Sequence, residues 1–571
     1  MAGTSYGTPM KSLRALCELP ASRVPTGGNF SVLQSHPVGD PIFLSSRITG
    51  VKTVLLQFRI LKSYKIPLRL FCALAIVLAA WDHRFAMNSD GISYLDMADA
   101  ASHGSPAALL HPYWSPLYPA LLTAALKLFA PSAASEVLVV HLVNCCVGLL
   151  ALASFAFFES QWSKMRDGGI AGSIFAYSVF LWGTATMIGL ELASPDLCTA
   201  ALIYLTAGLC CQLSNGKTGM LLGATLSLAY MAKSAMLPLG VVLLVLLAVS
   251  RERRKQVAVA AVVFAGLSGS FIAALSIQQQ RFTIGDSGRL NYAWMVQRDI
   301  PMFVGWTGLP NGTGTPLHPP RISVGSPELL EFKDTVPGTF PLWANPAYFH
   351  EGLEIRFDGW RQVEALALNA KALVLDHGMV GFVMLIGLMF LAIRLRFRVD
   401  GAESWMILWS VAACFVYCLV TFQPRYVGPF LVLFWIAAYE ATYGPGKRTV
   451  LWTVSAFLFL MQLIPIGGAL KHALDTPKVP VQLEVAQELT RFGLQPGDEI
   501  ATIGYPFSVY YARLAKLKVV ANIKGSAEPN DAVKMELRRL GVKAIVSPEL
   551  RSGWTTLGLS NYSLKLLYQS E

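Results

Sequence analysis

Long apolar runs, separated by short basic or polar segments, make up most of the chain between residues 66 and 469. A helix that crosses a bilayer needs about 20 mostly apolar residues. Eleven runs reach or approach this length, and we predict a membrane-spanning helix in each of them. The predicted spans are about 66–82, 135–158, 170–190, 196–212, 217–235, 236–250, 256–276, 376–394, 403–421, 426–443 and 449–469.

One further apolar stretch, residues 116–130, is shorter, begins with proline and carries Lys127. Lys and Arg concentrate in the cytoplasmic loops of membrane proteins. If residues 116–130 crossed the membrane, the basic loops RERRK at 251–255 and RLRFR at 394–398 would both lie outside. We therefore predict that this stretch lies along the membrane surface. The N-terminus is then cytoplasmic and the C-terminus lies on the outer side.

Three long segments face outward in this topology: 83–134, 277–375 and 476–571. The first contains the helix-like SYLDMADAA, and the second, rich in Gly, Pro and Trp, is too long for a simple connector. The third alternates helical stretches with the β-like EIATIG, KVVANI and KAIVSP, which predicts a small α/β domain with a parallel or mixed sheet. It lacks a GxGxxG motif and a P-loop, so we assign it no nucleotide chemistry.

Composition agrees with a membrane protein, since 54% of the 571 residues are hydrophobic and only 14% are charged. Soluble domains average about 25% charged residues. The numbers exclude a single soluble globule, a disordered chain, a collagen and a disulfide-rich secreted scaffold. The net charge of +11 is concentrated in residues 1–70 and in the predicted cytoplasmic loops, so it indicates orientation and not nucleic-acid binding. Cysteines lie mainly in apolar runs, which argues against disulfides or a CxxC metal site.

These patterns predict a mainly α, polytopic membrane protein of about eleven transmembrane helices. Outward loops carry surface helices, and a small α/β domain follows at the C-terminus. Residues 1–63 are basic, lack the apolar core of a signal peptide and are expected to form a poorly ordered cytoplasmic leader. Residues 64–475 form the transmembrane domain, and residues 476–571 form the outward-facing soluble domain.

Ionisable residues in or near the membrane are costly to bury and mark candidate functional sites. Asp90, in MNSDGISYLDMADA, is followed by Gly and so suits a tight turn. It equally suits a general base or a metal ligand in a cleft beneath the loop. Asp96 and Asp99 follow on the same helical stretch, and we expect both to face solvent.

A second acidic pair, Glu191 and Asp196, lies between the third and fourth predicted spans. Asp196 after Pro195 can start a helix, because acidic residues favour the N-terminal end. Alternatively, Asp196 faces Asp90 across the cleft, where two carboxylates hold a divalent cation or share acid–base work.

Two cations sit at the outer ends of predicted spans. Lys233, in YMAKSAMLP, either extends its ammonium to the interface or binds a lipid phosphate. Arg425, in QPRY, stands apart from the cytoplasmic basic clusters, and its planar guanidinium suits a phosphate. His111 and Trp114, in HPYWSPLYP, belong either to an aromatic belt at the headgroups or to a platform for a sugar ring.

In this order, these residues resemble the GT-C superfamily of integral-membrane glycosyltransferases. The nearest branch contains the protein O-mannosyltransferases, the lipid A aminoarabinose transferases and many bacterial relatives. That family carries an Asp in its first outward loop before a Tyr-containing helix, matched here by Asp90 and Tyr94. A surface helix of the type "hP.lYp.l" is matched by residues 111–119, and a motif that opens a later span with Asp is matched by residues 193–196.

The later family motifs match the two cations. A "tK...lP" motif corresponds to Lys233, and an "RY..P" motif corresponds to Arg425 and Tyr426 with Pro429. The chain departs from the pattern at two places. Gly91 replaces the acidic residue that often follows the first Asp, and Pro195 replaces the usual Thr or Ser before the second.

The resemblance implies a transferase that moves a sugar from a polyprenyl-phosphate donor to a glycan, lipid or protein acceptor. It implies a multi-pass protein of the bacterial inner membrane with its C-terminal domain in the periplasm. A divalent cation is optional, since cations of the protein can stabilise a phosphate leaving group. The implied residues are Asp90 (general base) and Asp196 for catalysis, which are also the candidates for any metal; Lys233, Arg425 and Tyr426 for the donor phosphate; and Tyr94, His111, Trp114 and Glu191 for substrate.

Two other functions compete with this one. A transporter or flippase of a lipid-linked precursor would line its path with charged residues, and such proteins often contain internal repeats. No repeat is visible in this sequence, and its unusual residues gather on one side of the predicted membrane. If the chain were instead an inactive scaffold that presents the α/β domain, Asp90 and Asp196 would lie far apart, with no cavity between them.

Overall fold

The computed structural model describes residues 64–165, 169–300, 302, 305–375, 404–442, 448–475, 479–504, 509–558 and 560–568. The predicted leader, 1–63, and the predicted span at 376–394 lie outside these residues.

Helices account for most of the described chain, which confirms the predicted mainly α class. The membrane-domain helices are α1 (Lys65–Asp82), α2 (Ser89–Ser102), α3 (Leu117–Phe129), α4 (Glu136–Met165), α5 (Gly169–Leu181), α6 (Asp196–Cys211), α7 (Gly216–Ala232), α8 (Met236–Ala248), α9 (Arg254–Gln278), α10 (Ser287–Tyr292), α11 (Pro341–Ala344), α12 (Pro346–Phe349), α13 (Gly359–Leu375), α14 (Ser404–Cys418), α15 (Pro424–Thr442) and α16 (Arg448–Asp475). Single wider turns of π type, Trp182–Ile188 and Ala293–Gln297, extend α5 and α10.

Local signals account for several helix ends. The Asn215 side chain caps α7 by accepting a hydrogen bond from the Thr218 N–H. The helix α4 has Glu136 in its first turn and Lys164 in its last, charges that complement the helix dipole. These ends occur where the sequence changes from polar to apolar, so the boundaries follow from local chemistry.

Helices occur at ten of the eleven predicted spans, but the count of eleven is not confirmed. Four described segments are long and apolar enough to cross a membrane by length and composition: Glu136–Met165, Gly169–Ile188, Arg251–Gln278 and Arg448–Asp475. Other apolar helices are shorter, such as α8 with 13 residues. At about 1.5 Å per residue such a helix falls short of the roughly 30 Å apolar layer. The number of spans therefore remains a prediction.

Close helix packing relies on small residues. The glycines Gly219 and Gly223 lie four apart on α7 and face the backbone of α9. A Cβ atom on Gly223 would lie 2.4 Å from the carbonyl oxygen of Ala260, so a larger residue would separate the helices. Small residues at this spacing let apolar helices pack at short range, where van der Waals contact holds them together.

A seven-stranded sheet forms the centre of an α/β domain, with strand order β1-β2-β4-β3-β5-β7-β6. The domain also contains helices α17, α18 and α19. Its elements are β1 (Arg321–Gly325), β2 (Glu328–Glu331), α17 (Val481–Arg491), β3 (Glu499–Ile503), α18 (Tyr510–Leu514), β4 (Lys518–Ile523), α19 (Asp531–Arg539), β5 (Ala544–Ser547), β6 (Thr555–Thr556) and β7 (Ser563–Leu566).

The sheet is mixed, as the alternation of helices and strands predicts. Strand β3 pairs in parallel with β4 and with β5. Strands β1 and β2 come from the loop 277–375 and join the edge, where β2 runs antiparallel to β4. These two strands are not predicted from the sequence, because their partner β4 lies almost 200 residues later in the chain.

The α/β domain contacts the membrane domain through a buried cluster of charges around Arg513. The guanidinium donates to Asp96 Oδ1 at 2.9 Å and to Glu136 Oε2 at 2.7 Å. The prediction that Asp96 faces solvent is wrong, since its side chain is 13% exposed; that of Asp99 is 49% exposed. The error arose because the counter-charge of Asp96 lies in another domain.

Candidate active site

A cavity of about 350 Å³ lies where α2, the C-terminal ends of α7 and α14, the N-terminal end of α15 and the segment before α6 meet. Apolar and aromatic side chains form most of its wall, and ionisable groups converge at one place. The predicted residues that line it are Asp90, Tyr94, Trp114, Asp196, Lys233, Arg425 and Tyr426.

Asp90 lies in the first turn of α2, where the helix dipole favours a negative charge. The Trp343 indole N–H donates to its Oδ1 at 3.1 Å, and Arg425 Nη2 lies 3.9 Å from its Oδ2. Burial raises the pKa of the Asp90 carboxyl, and the Arg425 charge and the indole hydrogen bond only partly offset this rise. The side chain stays 24% exposed, so the carboxylate is accessible from the cavity.

Asp196 is the first residue of α6 and is almost fully buried. Its carboxylate accepts hydrogen bonds from the Lys233 ammonium and, at 3.0 Å, from the Ser194 hydroxyl. The Nε of Arg425 lies 3.5 Å from its Oδ2. Asp196 therefore contacts both cations, and Arg425 stands between the two carboxylates.

The two cations share an aromatic neighbour. The Lys233 ammonium lies 3.3 Å from the centroid of the Tyr426 ring, and the Arg425 guanidinium carbon lies 5.2 Å from it. Lys233 ends α7 in an extended conformation, and Arg425 lies in the first turn of α15. The negative face of the ring adds to the attraction that holds both charges at the cavity.

Two polar atoms of the lining lack a hydrogen-bond partner within the part of the chain that the structure describes. These are Tyr417 Oη and Arg425 Nε, both fully buried from solvent. Buried polar atoms are nearly always hydrogen-bonded to protein, water or ligand. Both residues line the cavity, but these two atoms lie beneath its surface.

The structure explains why glycine, and not the acidic residue of the family pattern, stands at position 91. A Cβ atom there would lie 2.6 Å from the Ala193 Cβ, so no other residue fits without movement. Beside it, the Asn88 side chain accepts a hydrogen bond from the Ala193 N–H at 2.9 Å. The segments that carry Asp90 and Asp196 are thus in direct contact.

We expect Gly91→Ala to separate these segments and to lower the free energy of unfolding by about 1–3 kcal/mol, the usual cost of overpacking. Thermal unfolding in detergent measures the loss. The control is Gly266→Ala, because a Cβ at that helical glycine meets open space. Equal melting temperatures for the two variants would contradict the tight contact at Gly91.

The aromatic candidates lie in one cluster. The rings of Tyr94 and Trp114 are 5.1 Å apart, and Trp114 lies 5.4 Å from Trp343. Tyr113, which the sequence analysis does not single out, also lines the cavity and packs edge-on against Trp114 at 4.5 Å. The cluster forms a wide apolar wall beside Asp90.

His111 and Glu191 are not among the residues that line the cavity. Burial lowers the pKa of His111 to about 3, so its ring is neutral. Its Nδ1 can then accept hydrogen bonds from the backbone N–H groups of Tyr113 and Trp114, both at 3.1 Å. His111 thus orders the loop that presents these two aromatic residues.

The donor set at the cavity does not fit a metal held by the protein. Both carboxylates are already engaged by Arg425, and Asp196 also by Lys233. Within the described residues, no three His, Cys, Asp or Glu side chains are close enough to bind a metal ion together. We therefore derive no chemical step through a divalent cation.

Trp343 is the main site residue that the sequence analysis missed. It lies 253 positions from Asp90, in one of several Trp-containing stretches of the loop 277–375. The stretch PLWANPAYF is visible in the sequence as unusual, but nothing in it indicates which Trp contacts the carboxylate. Tyr417 was likewise missed, because it lies within an apolar run.

No protein-family model matches the chain, and no curated protein matches it. The chain does, however, match several solved structures. ArnT from Cupriavidus metallidurans bound to undecaprenyl phosphate is 11% identical, with a TM-score of 0.54 over 88% of this chain and 98% of its own. The apo form of ArnT has a TM-score of 0.50, with 11% identity over 87% of this chain and 97% of its own.

A third match is an Archaeoglobus fulgidus oligosaccharyltransferase tethered with an acceptor peptide. It is 14% identical, with a TM-score of 0.48 over 85% of this chain and 69% of its own. The match to ArnT covers most of both chains. The chain therefore has the fold of ArnT, in agreement with the resemblance of its motifs.

Proposed function

We propose that this chain is a membrane glycosyltransferase that moves a sugar from a polyprenyl-phosphate donor to an acceptor. The observation that carries the proposal is the meeting of Lys233 and Arg425 with the accessible carboxylate of Asp90 in one cavity. Cations suit a lipid phosphate, and a carboxylate beside them suits a base. The likeness to ArnT with bound undecaprenyl phosphate supports the same donor class.

The donor phosphate binds at Arg425 and Lys233 in this proposal. The Tyr417 ring, whose centroid lies 5.9 Å from the Lys233 ammonium, forms part of the same wall. The Tyr426 ring holds the two cations near each other. Positive groups fixed in advance stabilise the charge that develops on the leaving phosphate, because they need not reorganise during the reaction.

Asp90 acts as the general base. Its carboxylate takes the proton from a hydroxyl or amine of the acceptor as that atom attacks the anomeric carbon. The bond between this carbon and the phosphate oxygen breaks, and its electron pair leaves with the polyprenyl phosphate. The raised pKa of Asp90 makes it a stronger base than an ordinary Asp, while Arg425 keeps the ionised form accessible.

Asp196 has a different role in this scheme. It is nearly inaccessible and contacts both cations, so its charge balances and orients Lys233 and Arg425. A buried cation without a counter-charge would be costly, which gives Asp196 a reason to be present without proton transfer. The aromatic wall of Tyr94, Tyr113 and Trp114 faces the cavity and suits the apolar face of a sugar ring.

We place the site on the outer, periplasmic face of the bacterial inner membrane, with the N-terminus in the cytoplasm and the α/β domain outside. The basic loops that predict this orientation supply the argument.

The test uses the full chain in proteoliposomes that carry a panel of polyprenyl-phosphate sugars and an extract of envelope glycans, lipids and proteins. We expect labelled sugar to appear on an acceptor, identified by mass spectrometry. If the intact donor moves between leaflets and no sugar is transferred, the result would support a flippase and contradict the proposed glycosyltransferase. The Asp90→Asn variant gives a second test. If this variant still transfers sugar but no longer moves the donor between leaflets, the proposal is also contradicted.

A further inference from the structure

A short segment of the loop 277–375 is tied to the helix that carries Asp90. At one end, the Thr339 backbone N–H and hydroxyl donate to the two oxygens of Asp96, at 2.7 and 2.8 Å. At the other end, the Trp343 indole donates to Asp90. We name residues 339–344 the clasp.

The contacts of the clasp run along one face of α2. Asp90, Ser93 and Asp96 are spaced three residues apart, so each side chain is a neighbour of the next on the helix surface. The Ser93 hydroxyl supplies the middle contact by donating to the Trp343 carbonyl at 3.2 Å. Residues Asp90, Ser93 and Asp96 therefore hold the clasp over about two turns.

The indole of Trp343 cannot easily turn away from Asp90. Its side chain is 5% exposed, and the rings of Trp114 and Trp294 pack against it at 5.4 and 5.8 Å. The Trp114 indole also donates to the carbonyl of Ala344, the last residue of the clasp, at 3.0 Å. A Trp indole N–H can only donate a hydrogen bond, so the carboxylate oxygen that it contacts must act as the acceptor.

The hydrogen bond leaves the two oxygens of Asp90 in different settings. Oδ1 accepts from the indole, whereas Oδ2 faces Arg425 at 3.9 Å, beyond hydrogen-bond range. A general base needs one oxygen with a set direction toward the acceptor. Rotation of the carboxyl would exchange the two oxygens, and the indole opposes that rotation.

We infer that Trp343 is a positioning residue for Asp90, and that the Asp96–Thr339 contacts hold Trp343 in register with α2. The inference rests on the proposed function, in which Asp90 is the base. It adds a residue that the proposed mechanism does not use. Arg513 of the α/β domain donates to the same Asp96 carboxylate, so the clasp also joins that domain to the site.

The principal variant is Trp343→Phe, which keeps an aromatic ring and removes the N–H. We expect kcat for sugar transfer to fall about tenfold, as for the loss of one hydrogen bond to a charged group, with KM for the donor changed less than about twofold. The matched control is Trp294→Phe, since Trp294 packs in the same cluster but donates to His350 and not to Asp90. We expect nearly wild-type kcat in the control.

A second pair of variants tests the far end of the clasp. Thr339→Val removes the hydroxyl that donates to Asp96, and Thr339→Ser keeps it. We expect Thr339→Val to lower kcat about threefold, since part of the net worth of one hydrogen bond to a charged carboxylate is passed on to Trp343. Thr339→Ser should restore wild-type kcat. Thermal unfolding in detergent reports whether each variant is folded.

A pH titration separates positioning from general damage. The hydrogen bond favours the ionised carboxylate, so its loss in Trp343→Phe should raise the pKa of Asp90 and move the acid limb of kcat to higher pH. A merely structural loss would lower kcat at every pH without moving this limb. The other titratable or charged groups that face Asp90 are Arg425, Asp196, Lys233, Tyr94, Tyr113 and Tyr426.

The pKa of Asp90 can also be measured without catalytic turnover. Infrared titration of protein labelled with ¹³C-carboxyl Asp, as the difference between wild type and Asp90→Asn, isolates the Asp90 band. A higher midpoint in Trp343→Phe supports the inference even if the wild type transfers no sugar, which would defeat only the proposed function. An unchanged midpoint, or equal kcat in Trp343→Phe and Trp294→Phe, overturns the inference and leaves the proposed function intact.

Discussion

Asp90→Asn is expected to lower kcat for sugar transfer by at least about 100-fold, the lower end of what acid–base catalysis contributes. Asn has nearly the same shape and can still accept the Trp343 hydrogen bond, so the fold should persist. Its amide has no useful basicity, so the acceptor proton has no place to go. Initial rates with a saturating polyprenyl-phosphate sugar measure the loss.

Binding distinguishes the loss of a base from the loss of a site. Asp90→Asn removes a negative charge close to the proposed phosphate position, so the Kd for undecaprenyl phosphate should stay the same or fall. The matched control is Asp99→Asn, on the same helix with a half-exposed side chain, and it should transfer sugar normally. Activity near wild type in Asp90→Asn would sink the assignment of the base.

Arg425→Gln is expected to weaken undecaprenyl phosphate binding by at least about tenfold and to reduce kcat/KM by about 100-fold. The variant removes charge-assisted hydrogen bonds, each worth about 1.5–3 kcal/mol. The guanidinium also separates Asp90 from Asp196, at 3.9 and 3.5 Å from their oxygens. Without it the two carboxylates face each other with only Lys233 to balance them.

The conservative variant Arg425→Lys separates charge from geometry. An ammonium restores the charge but not the planar pair of donors, so we expect partial recovery of binding. The control is Arg298→Gln, since Arg298 is 43% exposed and pairs with Glu364 away from the cavity. Isothermal titration in nanodiscs gives Kd for each variant. Unchanged phosphate binding in Arg425→Gln would contradict the assigned donor site.

Much of the membrane domain could be predicted from the sequence, because lipid demands a strong local pattern. Helices α4 and α9 appear as long apolar runs bounded by charged residues, and the structure places helices there. The predicted spans at 217–235 and 236–250 correspond to α7 and α8, which meet near Lys233. Each of these helices is shorter than the apolar layer of a bilayer, so the two spans stay predictions.

The ionisable candidates could also be predicted from the sequence, because they stand out against the apolar pattern. A charge beside an apolar run is costly and therefore conspicuous, which singled out Asp90, Asp196, Lys233 and Arg425. The same reasoning misjudged Asp96. Its sequence neighbours are those of a solvent-facing helix, and the residue that buries it, Arg513, lies 417 positions later.

The sequence by itself determined the membrane class, the positions of most helices and the short set of charged candidates, since each follows from interactions within about 20 residues. Only the tertiary structure decided which candidates meet. It brought Arg425 between Asp90 and Asp196, left His111 and Glu191 out of the cavity lining, and added Trp343 to the carboxylate. These contacts join segments 100 or more residues apart, and a hydrogen bond across such a distance leaves no local pattern in the chain.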